Sequence, residues 1–131
     1  RESFYYSNVS PQAPSFNRGI WKKLEEQTRN WVDKYDSIYV FAGSVFFDDS
    51  LKFIGRDSIP VPDSFFKIVM NKRKGGYFIL AFEIPNRPTK LPLQTFTTTI
   101  DEIERKTKIN FFPFVSDELE NSIHLDQWEF K

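Results

Sequence analysis

Asn17, Glu25 and Arg29 are the residues of this chain whose types and order fit chemistry at a phosphate. A carboxamide oxygen, a carboxylate and a guanidinium that converge near a helix start suit a hard cation beside an anion. Mg²⁺ takes oxygen ligands and keeps most of its waters, so one protein ligand with water-bridged neighbours can hold it. A helix N-terminus adds backbone N–H groups and a positive dipole end that favour the anion. Each residue alone also has a plainer reading. An Asn at a helix start is commonly an N-cap, and Glu25 with Arg29 at i,i+4 is commonly a solvated ion pair.

A loop and a helix must position these groups. Ser7-Asn8-Val9-Ser10-Pro11-Gln12 is polar, and Pro11 and Pro14 keep residues 8–16 extended, because a residue before proline avoids the α region. Phe4-Tyr5-Tyr6 reads as a short strand leading into that loop. From Asn17 to about Tyr35, apolar Trp21, Leu24, Trp31, Val32 and Tyr35 form a helical stripe. Lys22, Lys23, Glu26 and Asn30 occupy the opposite side. The two Trp read as core anchors, since large aromatics at helical spacing usually pack.

The order Ser-Asn-x-Ser-Pro-Gln, Phe-Asn-Arg-Gly-x-Trp, Leu-Glu and then Arg, over residues 7–29, resembles the DNA/RNA non-specific endonuclease family. The resemblance implies an α+β fold of the ββα-metal (His-Me finger) type, an antiparallel sheet with flanking helices. It also implies roles. Asn17 is the expected Mg²⁺ ligand, with Mn²⁺ as an alternative metal, Glu25 the carboxylate that holds a metal-bound water, and Arg29 a phosphate-facing cation. Asn8 and Gln12 are expected to shape the loop under the site. Val-Pro-Asp-Ser-Phe-Phe-Lys-Ile-Val, residues 61–69, resembles the endonuclease G branch and reads as scaffold. That branch implies a mitochondrial protein, secretion being the alternative.

In the family the general base is a His in an Asp-Arg-Gly-His strand ahead of the loop. The single histidine here, His124, lies near the other end and reads as a tail residue. The chain, a single domain over 1–131, is therefore expected to be the C-terminal part of a nuclease domain. Another chain or segment would supply the Asp-Arg-Gly-His strand, and a homodimer is one arrangement that could do so. DNA and RNA backbones are the expected partners.

Composition bounds this reading. Forty per cent hydrophobic residues, 15 of them Phe, suffice for a packed interior. Eighteen basic and 18 acidic residues cancel, so the whole chain makes no electrostatic case for nucleic acid. Zero cysteines exclude disulfides, Cys-liganded zinc and thiol nucleophiles. No apolar run approaches the ~20 residues of a membrane span.

The remaining chain reads mostly as sheet. Residues 37–47, rich in β-branched and aromatic types, predict a central strand, and Asp48-Asp49-Ser50 a turn. Phe53-Ile54-Gly55 reads as a short strand and residues 59–62 as an extended linker. Phe65 to Met70 and Tyr77 to Glu83 predict a hairpin, turning at Lys72-Arg73-Lys74-Gly75-Gly76. That basic tip, Lys72, Arg73 and Lys74, is a candidate nucleic-acid contact, although hairpin tips are often charged for solubility alone. Residues 86–97 read as a loop. Thr99 and Glu102 predict a capping box, followed by i,i+4 pairs Asp101/Arg105, Glu102/Lys106 and Glu104/Lys108. Lys108 stands where the family has Gly, which puts the helix end in question. Phe111 to Val115 reads as an edge piece and 117–120 as a helical turn. Trp128 and Phe130 are expected to dock on the body or a partner. The functional expectation is Mg²⁺-dependent phosphodiester hydrolysis in DNA and RNA. Its rival is a catalytically silent nuclease-fold subunit acting as a structural module.

Overall fold

The computed structural model describes residues 18–35, 38–47, 52–54, 59–73, 76–109, 123, 125 and 128–130. Helix α1, Ile20–Tyr35, turns Ile20, Trp21, Leu24, Gln27, Thr28 and Trp31 inward. These positions recur at helical spacing, so one face meets the sheet along the whole length. Val32 departs from the expected stripe and is exposed. At about 100° per residue it lies well round the helix from Trp31. The helix ends where Asn71, buried, donates its Nδ2–H to the Tyr35 carbonyl at 3.2 Å. That satisfies one acceptor the last turn leaves open.

The strands are β1 (Tyr39–Val45), β2 (Lys52–Ile54), β3 (Ile59–Val61), β4 (Ser64–Arg73), β5 (Gly76–Pro85) and β6 (Thr97–Thr98). A four-stranded sheet has the order β1-β4-β5-β6, every neighbour antiparallel. β2 and β3 pair separately. The β4–β5 hairpin runs in register from Ser64↔Pro85 to Arg73↔Gly76, and Gly76 has φ +145°, as a glycine at the tip permits. Helix α2 is Ile100–Thr107.

Alternation in β4 and β5 divides the interior into two layers. Phe65, Val69, Leu80, Phe82 and Ile84 pack with Ile20, Trp21, Leu24 and Trp31 of α1. Phe66, Ile68, Met70, Ile79 and Ala81 pack with Ile100 and Ile103 of α2. The sheet is therefore covered by a helix on each face, which is the α+β architecture the sequence implied.

Several local expectations change. The strand expected to be central, β1, stands at one end of the sheet order among the described residues, with Tyr39 53 % exposed and Val40 and Phe41 also open. Its composition signals burial on both faces, but pairing decides position, and β1 pairs only with β4 there. Gly43 of β1 leaves room for the Phe66 ring of β4, since a Cβ there would stand 2.8 Å from it. Residues 59–61, read as a linker, form β3 opposite β2. Within 86–97, expected to be loop, Leu93–Phe96 is a 3₁₀ turn, and Thr97 starts β6 opposite Phe82. The basic tip is tighter than expected, since β4 extends to Arg73. Residues 4–6, 48–50 and 111–120 lie outside the described residues.

Helix α2 starts at Thr99, whose Oγ1 accepts from the Glu102 N–H at 3.1 Å. Glu102 turns its carboxylate toward Arg105, which holds it below the usual range. This i,i+3 pair replaces the expected Asp101/Arg105. Lys106 reaches Glu102 at 3.9 Å but binds Glu83 of β5 more closely, at 2.9 Å. Ser64 donates to the same carboxylate at 2.7 Å, so Glu83, 10 % exposed, ties α2 to both hairpin strands. The helix ends with Lys108 at φ 64°, ψ 24°, its N–H donating to the Glu104 carbonyl at 2.7 Å. Lysine thus adopts the left-handed turn that glycine usually supplies.

The aromatic tail docks on the body. Trp128 meets Trp31 edge-on at 5.0 Å and Tyr35 at 5.6 Å, and Phe130 meets Trp31 at 5.2 Å. The Glu129 carbonyl accepts from Trp31 Nε1 and from Gln27 Nε2. Its carboxylate pairs with Lys34 at 2.7 Å.

Candidate functional site

Glu25 and Arg29 lie one turn apart on α1, partly buried and exposed respectively. Residues four apart project from the same side of a helix. By the same periodicity this flank adjoins Trp21 and is turned away from Gln27 and Trp31, where the tail packs. The common flank of Glu25 and Arg29 follows from helical periodicity. The sequence did not anticipate what lies beneath.

Lys67 of β4 sits in the row Phe65, Lys67, Val69, whose other members belong to the core under α1. Its register partners are Ala42 on β1 and Phe82 on β5. Lys67 is 7 % exposed and is the one charged side chain among the buried polar groups of the described residues. Its Nζ lies 5.0 Å from the centre of the Trp21 ring, which in turn packs on Phe65 at 5.8 Å. A ring face attracts an ammonium and replaces part of the hydration lost on burial.

Burial pulls the Lys67 pKa from 10.5 down to about 8. The Glu25 carboxylate opposes that shift and the Arg29 guanidinium adds to it. The three charges therefore form one electrostatic group: an ammonium below the helix and a carboxylate and guanidinium on its flank. The segment containing Lys67 reads as scaffold from its family resemblance. The signal that could have singled it out is a lone Lys between Phe66 and Ile68 in an otherwise apolar run.

Of the other expected site residues, Asn8, Gln12, Asn17 and Lys74 lie outside the described residues, as does His124. Lys72 is exposed, its Nζ 5.8 Å from the Tyr77 ring. At about 3.3 Å per residue, it stands roughly 16 Å along β4 from Lys67. The hairpin tip and the Glu25–Arg29 flank are thus separate places on the molecule. Among the described residues, no group of three or more His, Cys, Asp or Glu gathers. A single carboxylate beside cationic groups does not make an all-protein metal cage. It does fit a divalent cation that keeps most of its water and touches protein at few points. No helix among the described residues is long and apolar enough to cross a membrane.

The comparisons with known proteins agree with this architecture. The model of the DNA/RNA non-specific endonuclease family matches residues 1–118. Human mitochondrial endonuclease G is 32% identical over 124 residues, covering 86% of this chain and 42% of its own length. The Serratia marcescens nuclease is 27% identical, covering 91% of this chain and 47% of its own. The crystal structure of an EndoG/EndoGI complex superposes with TM-score 0.80 at 26% identity, over 93% of this chain and 55% of that one. The chain thus spans less than half the length of the curated relatives named here. Fold, element order and family match converge, and the chain belongs to the DNA/RNA non-specific endonuclease family.

Proposed function

We propose that this chain is the metal-helix part of a nuclease domain that hydrolyses phosphodiester bonds in DNA and RNA with little sequence preference. The observation that carries the reading is the Glu25–Arg29 pair, presented together on α1 within a family match spanning residues 1–118. Asn17 would hold Mg²⁺, or Mn²⁺, through its carboxamide oxygen, with Glu25 accepting a hydrogen bond from a water beside it. When bound, the ion supplies positive charge that stabilises the phosphate in its transition state and the leaving oxygen. Arg29, exposed on the same flank, offers a fork of donors to a phosphate oxygen. Recognition through the backbone rather than base edges accounts for low sequence preference. Asn8 and Gln12 would shape the loop beneath.

The general base would be the His of an Asp-Arg-Gly-His strand carried by another segment or by a second chain, in a homodimer for example. Lys72, Arg73 and Lys74 would meet the nucleic-acid backbone beyond the site. A mitochondrial location accords with the name of the human relative. The test is supercoiled-plasmid and RNA cleavage by the complete protein in the presence of Mg²⁺. Asn17→Ala should abolish metal-dependent cleavage with the fold intact, and Glu25→Ala should be less severe. Near-normal turnover of Asn17→Ala at ordinary Mg²⁺ overturns the ligand assignment. No cleavage by the complete wild-type protein favours the rival reading, a structural subunit, which the balanced charge permits.

A further inference from the structure

The polar flank of α1 that carries Lys23, Glu26, Gln27 and Asn30 faces a cavity. These residues recur at i, i+3, i+4 and i+7, so they line one side of the helix. Opposite them is the turn Leu93–Phe96, which buried Leu93 pins to the core beneath α1. The space between helix and turn is about 390 Å³, and its wall also includes Gln94 and the partly exposed Phe130. Small-molecule sites commonly measure about 300–1,000 Å³. The inner side is held in place. Gln27, 4 % exposed, donates its Nε2–H to the Glu129 carbonyl at 3.3 Å. Phe130 meets Trp31 and Phe82 edge-on at 5.2 and 6.4 Å.

The lining selects a chemistry. Lys23 and Glu26 bring one charge of each sign, so neither a purely anionic nor a purely cationic ligand is matched. Three carboxamides, on Gln27, Asn30 and Gln94, set donors and acceptors beside an aromatic ring. An unpaired base is recognised in this way, by carboxamide or carboxylate contacts along its edge and an aromatic neighbour for its face. Glu26 suits an exocyclic amino group or a sugar hydroxyl, and Lys23 suits the phosphate that a nucleotide brings with its base.

We propose that this cavity is a nucleotide subsite, which seats one unpaired base of single-stranded DNA or RNA with its phosphate toward Lys23. At about 100° per residue, it lies about 130° round α1 from the Glu25–Arg29 flank. The helix is about 10–12 Å across and a strand advances about 3.4 Å per nucleotide, so about three or four nucleotides connect the two flanks. Lys22, exposed, stands on the outward face between them. That the same strand continues to Arg29 rests on the proposed nuclease function; the seating of a base in the cavity does not. A duplex keeps its bases paired, so single strands alone gain from the subsite.

Binding is measured on the complete protein in EDTA, by fluorescence anisotropy of a labelled single-stranded 12-mer of mixed sequence. Asn30→Ala combined with Gln94→Ala should raise its Kd about 5–20-fold, the range expected for losing contacts to one base. The melting temperature should stay near that of wild type, since neither side chain belongs to the core. The Kd for the matching duplex should change by less than about twofold. Phe130→Leu, which keeps apolar bulk against Trp31, should weaken the single strand in the same selective way. Adenosine monophosphate distinguishes the two sources of such a nucleotide. Displacement of the 12-mer by it, lost in the double variant, shows that the cavity takes free mononucleotides as well; no displacement confines it to a nucleotide held within a strand. Unchanged 12-mer affinity in both variants overturns the proposal, as does an equal loss for the duplex. A wild-type protein that binds no single strand overturns it too. Single-strand binding through the cavity by a protein that cleaves neither plasmid nor RNA is a different failure, that of the nuclease reading, and leaves the subsite standing.

Discussion

Lys67 Nζ lies 5.0 Å from the centre of the Trp21 ring, beneath the helix that carries Glu25 and Arg29. The contact has a consequence for stability. Burial lowers the folded-state pKa of Lys67 to about 8 from 10.5, so the unfolded chain holds this proton to higher pH than the folded one does. Stability rises with pH wherever the unfolded state binds more protons. The rise should therefore occur between about pH 8 and 10.5, with the full cost of the buried charge present below it. At about 1.4 kcal/mol per unit, the effect is at most about 3.5 kcal/mol. Urea denaturation of wild type and Lys67→Met across this window gives the difference. The wild-type midpoint should climb relative to the variant; parallel curves would refute it.

A second consequence concerns the other face of the sheet. Glu83 accepts from Ser64 and from Lys106, with only 10 % of its side chain exposed. Removing Glu83 leaves the partly buried Lys106 ammonium with only the more distant Glu102 carboxylate, at 3.9 Å, and such a loss costs more than the pair itself is worth. Glu83→Ala should lower unfolding free energy by about 2–3 kcal/mol, discounted from the fully buried range because Lys106 keeps some contact with water. Lys106→Met on that background should return part of the loss, since it removes the stranded charge. An additive double mutant would show that the two groups are not coupled.

The left-handed residue at the end of α2 gives a stabilising change. Lys108 has φ 64°, where a Cβ crowds the following carbonyl at about 1–2 kcal/mol for an ordinary residue. Glycine removes that crowding but adds freedom to the unfolded chain, so the net gain is smaller. Lys108→Gly should raise unfolding free energy by about 0.5–1 kcal/mol. Thermal melts at two denaturant concentrations suffice to measure it. A lowered midpoint would mean that the lysine side chain makes a compensating contact.

Periodicity exposed the helix, because Trp21, Leu24 and Trp31 fall on one face whatever they pack against, although Val32, read into the same stripe, turned out to be exposed. The hairpin was equally plain, since Phe65 to Met70 and Tyr77 to Glu83 flank a glycine-bearing tip. The order of residues around Glu25 and Arg29 carried the family. What local pattern could not carry was pairing. Residues 59–61 and 97–98 are too short and too proline- or threonine-marked to register as strands, and only their partners make them so. β1 has the composition of an interior strand, but its place was set by β4. Lys67 was hidden for a related reason: alternation shows that it points to one face, while only the fold shows that α1 and Glu25 are on that face.

The tail supplies a test that separates stability from chemistry. Trp128 is 4 % exposed and packs edge-on against Trp31 and Tyr35, on the flank of α1 turned away from Glu25. Truncating a buried Trp to Ala commonly costs about 3–5 kcal/mol, combining lost burial with a residual cavity. Neighbouring Phe130 and the Glu129 carbonyl bonds to Trp31 and Gln27 hold the tail in place, so the cavity cannot easily close. Trp128→Ala in the complete protein should therefore fall near the upper part of that range by urea denaturation. The Glu25–Arg29–Lys67 group lies on the other flank and shares no contact with Trp128 among those described. Cleavage per folded molecule, measured well below the melt, should accordingly change by less than about threefold. A hundredfold loss of turnover in a variant that remains folded would mean that the docked tail sets the position of α1 for chemistry, and not only its stability.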